Sequence, residues 1–120
     1  MKDYLPAELE NKLVEWNHKA SALGPEWAVA EGEFFSCMER KNDILADIMS
    51  KITIPPTEKD SSAIRERLAR ISSEWQMFKQ SLVDAKATTL QKKIAYEVAI
   101  RTWETIKGLL YSKNIERRQM

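Results

Sequence analysis

Five basic side chains share one register in the C-terminal half of the chain. Arg65, Lys79, Lys86, Lys93 and Lys107 belong to a single seven-residue series, broken only by Ser72 and Ile100. On a helix seven residues make two turns, so such a row advances by about 10.5 Å per step along one edge. A row of cations suits a phosphate backbone, where released counterions supply the affinity and no bond is made or broken. Arg67, Arg70, Arg101 and the tail bases Lys113, Arg117 and Arg118 can widen the stripe. The competing reading is a solvated coiled-coil edge, on which e-position charges face water or acidic g positions.

Other chemistry finds little support. The single histidine, His18, lies between Asn17 and Lys19, with no local acid and nucleophile to form a catalytic set. The single cysteine, Cys37, lies beside an apolar seam and reads as packing. One His and one Cys cannot build a structural zinc site. Glu33, Glu39, Asp43 and Asp47 could form a carboxylate metal site only with a matching Glu-x-x-His, which is absent, so they read as a solvated face. There is no glycine-rich phosphate loop, HExxH or calcium-loop pattern. The chain is therefore expected to be no enzyme, with no catalytic residues, no metal, no cofactor and no small-molecule substrate.

The basic row needs an element to carry it. From Ile64 to Leu110, positions Ile64, Leu68, Ile71, Trp75, Phe78, Leu82, Ala85, Thr89, Lys92, Tyr96, Ala99, Trp103, Ile106 and Leu110 follow at steps of three and four. Thr89 and Lys92 are the only lapses. That is a heptad seam, and no Gly or Pro interrupts it between Pro56 and Gly108. A straight helix of that length would reach roughly 70 Å, against about 30 Å for a compact chain of this size. It must kink near Thr88-Thr89 or project towards a partner chain.

The earlier segments read as two shorter helices. Pro6 suits a first helical turn, and Leu9, Leu13, Trp16, Ala20 and Leu23 form an amphipathic face, giving a helix over about 6–22. Gly24-Pro25 is expected to end it and start the next. The second helix, about 25–52, carries Phe34, Met38, Leu45, Ile48 and Ile52 on one seam, with Lys41 interrupting. Its apolar stripe is wide enough for two neighbours, and Gly32 is a weak point. Pro55-Pro56 stops that helix. Thr57, Ser61 or Ser62 then caps the long third helix, about 58–111, followed by a mobile basic tail, 112–120.

The predicted fold is all-α: one domain, 1–120, of three helices, the last very long and heptad-patterned, packed as a hairpin or bundle and assembling as a coiled-coil-like oligomer. Leu90, Ile94, Val98, Trp103, Leu109 and Leu110 give the distal arm more apolar surface than two short helices can cover. They are the expected homo-oligomer interface. Trp16, Trp75 and Trp103 sit on seams and read as core, while Trp27 follows the Gly-Pro pair.

Composition agrees. Charged residues are 31%, aromatics 8%, and glycines number three, which suits a helical chain over a β or disordered one. No apolar run is long enough for a membrane span, and Met1-Lys2-Asp3-Tyr4-Leu5-Pro6 has no apolar signal-peptide core. A lone cysteine fits a reducing, cytoplasmic setting. The net charge of +1 hides asymmetry: residues 1–60 hold 7 basic and 12 acidic side chains, residues 61–120 hold 12 and 6. Such a split points either to a polyanion partner or to attraction between the halves.

The C-terminal two-thirds resembles small helical proteins encoded among the recombination and early genes of tailed bacteriophages. The resemblance runs from Ser61-Ser62-Ala63-Ile64-Arg65-Glu66-Arg67-Leu68-Ala69 through Trp75, Ala85 and Lys86. It continues to Ala99-Ile100-Arg101-Thr102-Trp103-Glu104-Thr105-Ile106 and ends at Leu109-Leu110-Tyr111-Ser112. Residues 1–56 lie outside it. The resemblance implies an accessory factor in phage recombination, in the host cytoplasm, whose partners would be single-stranded DNA, a recombinase or a single-strand-binding protein. The alternative is a phage-encoded interaction module that inhibits or adapts a host protein, its acidic N-terminal half imitating DNA.

Overall fold

A computed structural model describes residues 5–119; the signal-peptide reading at Met1–Tyr4 and the last tail residue, Met120, lie outside them. The fold is all-α, with four helices: α1 Pro6–Glu39, α2 Lys41–Lys51, α3 Ser62–Arg70 and α4 Ser73–Gln119. The expected three helices become four because one expected break, at Gly24-Pro25, is absent and two others, at Arg40 and at Ile71-Ser72, appear. No described helix is long and apolar enough to cross a membrane.

The first shift is at Gly24-Pro25. α1 runs straight through the pair, and no described glycine has positive φ. Pro25 lacks the N–H that would bond the Ser21 carbonyl, at a typical cost of about 3 kcal/mol in a helix interior. Ser21 and Pro25 are both exposed, so water can solvate that carbonyl. Contacts on either side of the proline hold the helix. A Cβ built on Gly24 would lie 3.3 Å from the Tyr96 ring, so glycine here admits an aromatic side chain and is not a C-cap. Trp27 meets the same ring, with centroids 5.6 Å apart, and Glu26 reaches Lys92 at 3.4 Å.

α1 starts at Pro6, where Glu8 accepts a hydrogen bond from the Leu5 N–H at 3.3 Å, the back-reaching half of a capping box. A turn at Arg40 separates α1 from α2, dividing the expected second helix. Pro55-Pro56 sits in the loop after Ile52, as the sequence requires. Of the three candidate caps it is Ser61 that accepts from the Ile64 N–H, at 3.2 Å.

The expected third helix is also divided. Ser72 ends α3 and opens α4 with one hydroxyl, donating to the Ala69 carbonyl at 2.6 Å and accepting from the Trp75 N–H at 3.2 Å. The break rotates Ile71 out of the seam, leaving it 70% exposed. α4 is then helical through Thr88-Thr89 and Gly108 to Gln119, so the helix continues over 112–119, past its expected end at 111.

Contacts gather the described residues into two compact units. One joins the residues up to Val29 with those from Leu90 onward. Leu9, Ala20, Ala99 and Ile106 are its buried apolar side chains. Gly24 lies opposite Tyr96, and Glu26 opposite Lys92, each on α1 and α4. Lys92, a lapse in the seam, is thus explained by an acid on α1.

The other unit is Ala30–Thr89. Its core is Ile48, Ala69 and Trp75, with Ile44, Leu45, Met49, Ile52 and Phe78 packed against them. Here α2 packs on α3. Thr89, the second lapse, sits 2.8 Å from the Ala85 carbonyl and 3.2 Å from that of Ala30, so its single hydroxyl hydrogen is satisfied on a half-buried face. Gly32 in this unit is exposed, and a methyl group added there would meet no packing neighbour within 4 Å. Gly32→Ala should therefore raise the unfolding free energy by about 0.5–1 kcal/mol, read from urea midpoints at unchanged slope.

Candidate nucleic-acid interface

Four of the five basic positions stand in water. Lys79 and Lys86 in the Ala30–Thr89 unit, and Lys93 and Lys107 in the other, are all exposed. Among the described residues none of these four ammonium groups is in an ion pair. Three instead lie over aromatic rings: Lys86 5.5 Å from the Phe34 centroid, Lys93 6.0 Å from Trp27, and Lys107 5.0 Å from Trp103. A ring face attracts a cation by about 0.5–1 kcal/mol at exposed sites without cancelling its charge. Phe34 and Trp27 belong to α1, whereas Trp103 lies on the α4 seam four residues before Lys107.

Arg65 has a different place. Its Nε and Nη2 donate to the two Asp60 carboxylate oxygens at 2.8 and 2.9 Å. Its Nη1 donates to the Met49 and Ile52 carbonyls at 3.0 and 3.2 Å. The guanidinium is half-buried and satisfies carbonyls at the C-terminus of α2, where helices leave acceptors without partners. Arg65 is thereby withdrawn from the basic edge: it fastens the start of α3 to the end of α2.

The bidentate hydrogen bonds from Arg65 hold the Asp60 carboxyl below its ordinary value of 3.8. A depressed acid adds stability above its unfolded-state pKa, and that contribution is lost as pH falls through the folded value. Asp60→Asn should therefore lower the thermal midpoint at neutral pH. The gap between variant and wild type should close as pH drops below about 4, in melts followed by circular dichroism.

The expected interface set divides. Leu90, Ile94 and Val98 are roughly half exposed, while Trp103, Leu109 and Leu110 are half-buried. The three exposed residues step by four along α4 and so form one short apolar stripe. The acids Glu33, Glu39, Asp43 and Asp47 are all exposed, as their pattern implied.

His18 is exposed, and Cys37 is half-buried with its Sγ 3.6 Å from Arg40 Nη2. Among the described residues no group of three or more His, Cys, Asp or Glu could hold a metal ion. Trp75 is buried as expected, while Trp16, Trp27 and Trp103 are only half-buried.

Two basic residues carry more than the heptad suggested. Lys41, which interrupts the seam of the expected second helix, and Arg70 line a cleft together with Lys79. The signal for Lys41 was in the sequence: a cation on an apolar seam must leave the core, and here it is exposed and lines a cleft with two further cations.

No protein-family model, curated protein or solved structure matches the chain.

Proposed function

We propose that the chain is a non-enzymatic nucleic-acid-binding factor that captures single-stranded DNA electrostatically through Lys79, Lys86, Lys93 and Lys107. One observation carries this reading: the four lysines are exposed and none meets a carboxylate among the described residues. A structural edge on a charge-rich helix would ordinarily be neutralised by acids three or four residues away, as Glu15 does for Lys19 and Asp47 for Lys51. The aromatic partners of three of the lysines add proximity to π faces, a combination common in single-strand channels. By its resemblance to phage helical proteins, the role would be an accessory one in phage recombination or replication, with a recombinase or single-strand-binding protein as further partners.

The protein would act as a homo-oligomer, a second copy covering the Leu90, Ile94 and Val98 stripe. Light scattering should then give a mass that is a multiple of 13.9 kDa, and Ile94→Glu should reduce it to one copy. The DNA reading is tested by fluorescence anisotropy with labelled oligothymidylate: binding should weaken steeply as salt rises. No binding at micromolar protein, or binding indifferent to salt, removes it.

The exposed acids Glu33, Glu39, Asp43 and Asp47 favour a second reading, a module that docks on a basic host protein. A single stoichiometric partner retained from host lysate after nuclease treatment would select it over the first.

A further inference from the structure

Within the Ala30–Thr89 unit lies a cleft of about 460 Å³ whose lining includes Lys41, Arg70, Trp75, Gln76, Lys79 and Gln80. Its three cations come from three helices: the first residue of α2, the last of α3, and the second turn of α4. None of the residues lining it is acidic. Two carboxylates are hydrogen-bonded to lining residues. Glu66 Oε1 accepts from Arg70 Nε and Nη2 at 3.2 and 2.8 Å, and Asp84 accepts from the Gln80 amide at 2.9 Å. Glu66 offsets Arg70 and fixes its guanidinium 5.9 Å from the Trp75 ring centroid. Lys41 and Lys79 have no such partner among the described residues.

Cations that line one cleft repel one another, and an anion among them removes that cost. The three cations stand on three different helices, an arrangement that leaves room for the tetrahedral oxygens of a phosphoryl group among them. The amides of Gln76 and Gln80 each have an N–H to spare beyond the bonds they make to the Arg70 carbonyl and Asp84. Trp75 is 2% exposed, so no base can stack on it. The cleft suits a phosphate and not a nucleobase.

We propose that this cleft seats one phosphate group, gripped by Lys41, Arg70 and Lys79 and oriented by Gln76 and Gln80. The inference rests on the single-strand reading and names the point where a strand would be held most tightly. The same chemistry would accept a free polyphosphate.

The test compares two exposed lysine pairs of equal charge. The protein is prepared as wild type, as Lys41→Ala/Lys79→Ala and as Lys93→Ala/Lys107→Ala. Each is titrated with labelled oligothymidylate, and separately with tripolyphosphate while backbone amide shifts are followed by NMR. A seated phosphate predicts at least a tenfold greater affinity loss for the first pair than for the second. It also predicts saturable tripolyphosphate shifts around Arg70, Gln76 and Gln80 that vanish in Lys41→Ala/Lys79→Ala. Equal losses in the two pairs, with shifts absent or spread over every lysine, overturn the cleft while leaving the basic edge intact. Should wild type ignore oligothymidylate, the DNA reading fails alone, and tripolyphosphate shifts confined to the cleft assign it to a free polyphosphate. No shift with tripolyphosphate then overturns the cleft as well.

Discussion

Trp75→Ala should lower the unfolding free energy by about 3–5 kcal/mol, the usual cost of removing a large aromatic from a core that cannot collapse around the void. Trp75 is 2% exposed and is the largest fully buried side chain described. It belongs to the core cluster of the Ala30–Thr89 unit, with Ile48 and Ala69, and its ring centroid lies 5.5 Å from that of Phe78. Ala69, fully buried, has no volume with which to fill the gap. Domains of this size are stable by only about 5–15 kcal/mol, so the loss is a large share of the total. Urea denaturation measures it, with Trp75→Phe as a control that keeps an aromatic and loses less. A loss below about 1 kcal/mol would mean that the core is not organised on this side chain.

Replacing Lys79, Lys86 and Lys93 together by Glu should abolish capture of single-stranded DNA. Each phosphate contact on a single strand contributes about 0.7 to the salt exponent, so losing three removes roughly 2 from the slope. Reversal also puts repulsion in place of attraction, and the combined loss at low salt should be at least about a hundredfold. All three side chains are exposed, so helicity by circular dichroism should hold. Loss of helicity would make the binding result uninformative about the edge, and the alanine triple then supplies the readout, with a smaller loss in the same direction. Unchanged affinity in a folded variant would assign the lysines to solvent alone.

The heptad seam was the legible part of the fold. Trp75, Phe78, Leu82, Ala85, Tyr96, Ala99, Trp103, Ile106 and Leu110 are all buried or half-buried, and even the lapses at Thr89 and Lys92 face polar partners on α1. A three-four repeat is a long-range average and survives local errors. The element ends were less legible, because they depend on single residues whose meaning tertiary contacts decide. Gly24-Pro25 reads locally as a stop, yet Tyr96 needs the glycine's missing Cβ and the helix continues. Ser72-Ser73-Glu74 carries the same cap chemistry as Ser61, but the unbroken apolar repeat hides it.

The candidate site was legible as a register and not as a set of partners. Spacing placed Lys79, Lys86, Lys93 and Lys107 on an exposed edge. It also placed Arg65 there, since a heptad cannot foresee a guanidinium turning back to the carbonyls of Met49 and Ile52 across a loop. Nor can it foresee that Lys41, far from Arg70 in the chain, shares a cleft with it. Contacts between helices of unlike register leave no period in the sequence.

The most direct measurement is the slope of log binding constant against log salt for the wild-type protein on oligothymidylate, between about 50 and 200 mM. Four lysine–phosphate contacts predict a slope of about −3, with affinity falling steeply over that range. A slope near zero, or no complex at the lowest salt, would contradict electrostatic capture along the lysine edge.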